Sequence, residues 1–172
     1  MRKISEQECL ENLIGGIDCI SQYHRHNKVW CCNQSNWNEK EYGWINPLFP
    51  PEYQKACLNG TEFVPESTCD LYFFMIQFYI WVTGSDPDIN FLRNDKWKKK
   101  FILYTENYEE QIQKLIMILF SWCTRSSVNE RPGSALILKS TEYYQILSRR
   151  LEEYPGNEEK SSTKKWYKTL FE

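Results

Sequence analysis

The sequence predicts a mostly α protein: an irregular, single-domain helical bundle around one buried central helix at about 68–83, with a long aromatic-rich loop region and short strands as minor elements. Three observations predict it. The stretch Ser67–Gly84 is almost wholly apolar and carries helix punctuation at both ends. Segments near 6–23 and 107–123 repeat apolar residues at helical spacing. The few strand-like runs have no evident partner strand.

The central stretch, STCDLYFFMIQFYIWVTG, reads as a core helix from Thr68 to Thr83. Ser67 followed by Asp70 has the spacing of a capping box, and Asp70 suits the positive end of the helix dipole. Gly84 falls where a left-handed residue closes a helix, and Pro87 follows. Its Phe, Tyr, Ile, Trp and Val residues are strand-prone, so the end signals decide against intrinsic propensity. The run is shorter than the roughly 20 apolar residues of a membrane span, and Gln77 interrupts it. A helix apolar on every face needs cover on every side.

In chain order, Ser5 with Glu8 caps a first helix over 6–23, with Leu10, Leu13, Ile14, Ile17 and Ile20 on its apolar face. Gly15-Gly16 inside it predicts close packing against another helix. From 24 to 66 the pattern breaks up, apart from the Pro51-led turn PEYQKACL that ends at Asn59-Gly60. The aromatics of this region imply that it is packed down. Residues 85–95 read as a loop, with Asn94 or Asp95 capping KWKKKFILYT, a short helix or an edge strand FILYT. Asn107 with Glu110 caps a helix to Cys123, with Ile112, Leu115, Ile116, Leu119 and Trp122 on one face. After a loop over 126–133, the segment 135–154 carries Leu136, Tyr143, Leu147 and Leu151 at near-helical intervals. The rival reading is a strand ALIL before a helix capped at Ser140. The domain is expected to end at about 155, followed over 156–172 by a polar linker and a short amphipathic segment.

At 172 residues the chain suits one domain, and its 26% charged and 41% hydrophobic composition is that of a globular protein. Residues 1–90 carry 6 Lys/Arg against 12 Asp/Glu, whereas 91–172 carry 15 against 11. The seven cysteines form an odd set with no repeated spacing, and the N-terminal segment has acidic residues where a secretion signal would be apolar. The expectation is a cytoplasmic protein with free thiols and no membrane segment.

No motif names a reaction. A Gly-rich phosphate loop, G-x-G-x-x-G and G-x-S-x-G are all lacking from the sequence. His24, His26, Cys31, Cys32, Cys57 and Cys69 could be assembled into a zinc site or a thiol–imidazole pair, but paired C-x-x-C spacing is missing, and small core residues are the simpler account. Asp86-Pro87-Asp88 could hold Mg²⁺, yet it is ordinary turn chemistry after a helix. No metal and no cofactor are expected.

Two surfaces remain. Trp30, Trp37, Tyr42, Trp44, Phe49 and Tyr53 cluster in the irregular acidic half, and Trp and Tyr are common anchors of protein interfaces. Arg93, Lys96, Lys98, Lys99 and Lys100 surround Trp97, and Lys164, Lys165 and Lys168 adjoin Trp166, which supplies cations and rings for single-stranded nucleic acid. The leading expectation is therefore a non-enzymatic interaction subunit of accessory, adaptor or inhibitor type, binding another protein or itself through 30–53. The alternative is a nucleic-acid-binding accessory subunit using the Lys/Trp clusters.

Overall fold

The computed structural model describes residues 2–30, 49–85 and 95–155. The fold is mostly α: seven α-helices and one 3₁₀ turn, with no strand among the described residues. The helices are α1 (Glu6–Arg25), α2 (Pro51–Asn59), α3 (Ser67–Thr83), α4 (Lys96–Tyr104), α5 (Glu110–Cys123), α6 (Ala135–Lys139) and α7 (Glu142–Glu152). The expectations for 31–48, 86–94 and 156–172 lie outside the described residues, among them those resting on Cys31, Cys32 and Asp86-Pro87-Asp88.

Helix α3 is buried along most of its length. It packs on α1 on one side and on α4 and α5 on another. Leu71, Phe74, Met75, Phe78 and Tyr79 are completely buried, and full burial of each such side chain contributes roughly 1.5–3 kcal/mol. Gly84 closes the helix with φ 65°, and its N–H donates to the Ile80 carbonyl at 2.6 Å. Gly60 does the same for α2 with φ 63°, a conformation in which a Cβ would be strained.

The start of α3 departs from the capping-box expectation. Glu66 is the N-cap residue and makes no side-chain cap bond, while the Ser67 hydroxyl donates to the Gly133 carbonyl at 2.5 Å. Asp70 does not reach back to the cap; it is completely buried and faces α1. Long-range partners have taken both polar groups away from their own helix end.

Helix α1 packs on α3, α6 and α7. Ser5 Oγ accepts from the Glu8 N–H at 3.1 Å, as predicted. The Gly15-Gly16 pair has its predicted use, because the ring of Phe74 on α3 lies where a Gly16 Cβ would project.

Four further expectations are corrected. Asn107 does not cap α5: the N-cap is Glu109, whose N–H donates to Glu6 Oε2 at 2.6 Å. Asp95 precedes α4 with a left-handed backbone (φ 57°) and makes no side-chain cap bond. Residues 135–152 form neither one helix nor a strand and a helix, but two helices broken at Ser140-Thr141, the second capped by Thr141. The inward residues of that pair are Ala135, Leu138, Tyr144 and Leu147, whereas Leu136 and Tyr143 are exposed. The break resets the helical register and reassigns the faces.

Candidate partner-binding groove

The chemistry-bearing side chains of the interior are held in structural contacts. His24, at the end of α1, accepts the Ala135 N–H at Nδ1 (2.9 Å). That nitrogen is therefore unprotonated, so Nε2 carries the proton and donates it to Asp70 Oδ2 at 2.8 Å. The same oxygen accepts the Trp30 N–H at 2.8 Å. One imidazole and one carboxylate thus join the ends of α1, α3 and α6 to the chain at Trp30. Both ring nitrogens are engaged, which leaves no lone pair for a metal or for a nucleophile's proton.

A second pair, of buried Arg131 and part-buried Glu52, joins α2 to the segment before α6. Arg131 grips Glu52 with two parallel bonds of 2.6 and 2.9 Å, donates Nε–H to the Arg125 carbonyl at 2.6 Å, and stacks 4.7 Å from the Tyr72 ring. The Cys69 thiol donates to Glu52 Oε1 at 3.3 Å. Burial is the largest effect on this thiol and pushes it up to about 12; burial likewise pushes Cys9 up to about 12 and raises Cys123. Such thiols stay protonated at neutral pH and are poor nucleophiles. Among the described residues no His, Cys, Asp and Glu side chains group as a metal site would require.

The predicted partner-binding aromatics divide. Trp37, Tyr42 and Trp44 lie outside the described residues. Trp30, Phe49 and Tyr53 are interior at 1%, 5% and 7% exposure, which corrects their assignment as exposed anchors. Phe49 stacks on Phe73 at 5.8 Å and meets Tyr53 edge-on at 4.7 Å, while Trp30 reaches Phe73 at 5.6 Å. Their ring area is used to cover the outer side of α3.

Trp97, the stacking ring of the predicted nucleic-acid cluster, is also interior, 3% exposed and 4.6 Å from Phe120. It anchors α4 and offers no face to a base. Of its neighbours, Lys96 and Lys99 are exposed, Lys98 pairs with Asp95 at 3.0 Å, and Lys100 donates to the Ser85 hydroxyl. Arg93, Lys164, Lys165, Trp166 and Lys168 lie outside the described residues.

Among the described residues, one partly apolar surface that remains open is on α5. Its core stripe is Ile112, Leu115, Ile116, Leu119, Phe120 and Cys123. A second stripe, Lys114, Met117, Ile118, Ser121 and Trp122, has the same spacing displaced by two positions, about 200° around the helix, and Arg125 follows just past its end. It lines a groove of about 690 Å³, to which α4 adds Lys98 and α7 adds Tyr143. Among the described residues no Asp or Glu lines it.

Comparisons with protein-family models, with curated proteins and with solved structures return no match. The site therefore rests on its own geometry.

Trp122, expected on the core face of α5, is half-buried: it packs against the core and also lines this groove. Apart from Lys98, sequence reasoning passed over the groove residues as a site. The readable signal was the repeat 114, 117, 118, 121, 122 and 125 beside the core repeat: a helix with two opposite apolar sides needs two covers. No helix among the described residues is long and apolar enough to cross a membrane.

Proposed function

We propose that this chain is a non-enzymatic protein–protein interaction subunit of accessory, adaptor or inhibitor type, acting in the reducing cytoplasm. The single observation that carries the reading is the second apolar stripe of α5, open along a groove of about 690 Å³ while the opposite stripe is in the core. Apolar grooves rimmed by polar residues are typical of protein-binding surfaces. Supporting it, the buried His24, Asp70 and Arg131 have structural partners, as does the part-buried Glu52, and the buried thiols are held protonated. Cys9, Cys69 and Cys123 are buried free thiols.

This reading moves the partner surface from 30–53 to α5 as far as the described residues go, since Trp30, Phe49 and Tyr53 are already used inside. The nucleic-acid alternative retains its surface lysines, Lys96 and Lys99 among them, but loses the Trp97 ring that stacking requires. Size-exclusion chromatography with light scattering after affinity purification from the producing cells tests the proposal. A stoichiometric protein partner or a defined self-complex is the expected result. A monomer that carries nucleic acid at low salt and releases it at high salt would overturn it.

A further inference from the structure

We infer that the occupant of the α5 groove is an acidic amphipathic helical segment of a partner protein. This rests on the interaction reading above and adds the chemistry of the partner.

The argument is one of shape and charge. From Lys114 to Trp122 the stripe covers a little over two turns, or about 12 Å, and Arg125 extends it just beyond the end of α5, a length over which a partner helix offers apolar side chains at i, i+4 and i+7. Met117, Ile118 and Trp122 supply apolar floor, and the Tyr143 ring adds an amphipathic surface of the kind that anchors interfaces. Cations stand at both ends of the stripe, Lys114 and Arg125, with Lys98 contributed from α4. Lining of one sign favours an occupant of the other, and a cationic helix would be repelled.

Two of the three cations have local partners, Lys98 with Asp95 at 3.0 Å and Lys114 with Glu110 at 2.5 Å. Both pairs are exposed and screened by water, so a partner's carboxylates can replace or share them. Ile118 is 42% exposed and Tyr143 41%. Each has apolar area left to bury on docking.

The test is a titration of the full chain with a fluorescein-labelled, helix-forming peptide carrying Leu at i, i+4 and i+7 and Glu at the flanking positions. A second peptide replaces Glu by Lys, and a third keeps Glu but replaces Leu by Ser. Saturable binding of the first alone is expected. Lys114→Glu with Arg125→Glu should weaken it by about tenfold or more, and the Lys peptide should then bind that variant. Ile118→Asp, at an exposed position, should abolish binding while leaving the circular dichroism spectrum unchanged. Equal binding of all three peptides, or indifference to both variants, overturns the inference. So does a groove-dependent dimer of the chain that excludes the peptide. In a parallel pull-down, partner capture that survives Lys114→Glu/Arg125→Glu overturns the groove assignment while the interaction reading stands. Failure of the wild-type chain to capture any partner sinks that reading, and the peptide titration still decides the groove.

Discussion

Gly16 on α1 and Phe74 on α3 are in such close approach that a Cβ at position 16 would lie 2.2 Å from Phe74 Cζ. The two largest core helices cross at a point where one of them has no side chain, and the completely buried Phe74 ring fills the space.

Gly16→Ala should therefore destabilise the protein by about 1–3 kcal/mol through overpacking, despite the better helix propensity of Ala. Phe74→Leu, made alone, should be destabilising as a cavity. The two together should cost less than the sum of the singles, because the smaller side chain makes room for the new methyl group. Urea unfolding of the four proteins measures this, and strict additivity would show that the contact does not determine the crossing.

Asp70→Ala removes the acceptor of both the His24 Nε2–H and the Trp30 N–H. Leaving two buried donors without a partner should cost about 3–5 kcal/mol. Ser5→Ala, which removes one exposed cap bond, should cost about 1 kcal/mol. Equal small losses in denaturant titrations would argue against the buried junction as an organising contact.

Arg131→Lys keeps a cation beside Glu52 but cannot make the paired bonds or the contacts to the Arg125 and Ser126 carbonyls. We expect a loss on the order of 2 kcal/mol or more. Full stability in thermal unfolding would mean that charge alone suffices.

Glu6 sets an acid limit on stability. Its burial favours the neutral form, but hydrogen bonds from Tyr154, Arg150 and the Glu109 N–H outweigh this and hold its carboxyl below the ordinary value. A carboxylate lowered in the folded state contributes stability that is present above its unfolded value of about 4.5 and is lost as pH falls through the lower folded value. Glu6→Gln should thus flatten the acid limb of the stability–pH curve below about pH 5. An unchanged limb would exclude Glu6 as a contributor.

Cys9 and Cys69, both pushed up to about 12 by burial, should resist iodoacetamide at pH 8 in the folded protein and react fully in denaturant. Mass spectrometry of the alkylated peptides reads this out. Rapid native labelling at either residue would identify an activated thiol and reopen the case for an enzyme.

Helix positions were legible where the signal is local. The Ser5 cap, the Pro51 start, Gly60 and Gly84 with positive φ, and the 3.6-residue repeats of α1 and α5 each depend on residues within a turn or two of one another. Polar end residues were read less well. Ser67 and Asp70 have the right spacing for a cap, but their partners lie 66 and 46 residues away, in an exposed contact for Ser67 and a buried one for Asp70, and local spacing carries no trace of either.

The candidate site was less legible still, because an aromatic residue carries the same identity inside or outside. Trp30, Phe49, Tyr53 and Trp97 were read as a surface and are core; Trp122 was read as core, packs against it, and lines the groove as well. By itself the sequence determined the helical class, the buried character of α3 and the close crossing at Gly16, since composition, periodicity and glycine placement act along the chain. Only the tertiary structure decided which rings are covered, which carboxylate meets which donor, and which of the two apolar sides of α5 stays open. Those outcomes depend on burial by segments distant in sequence, where the cost of an unpaired buried polar group and the gain from covering apolar area are settled together.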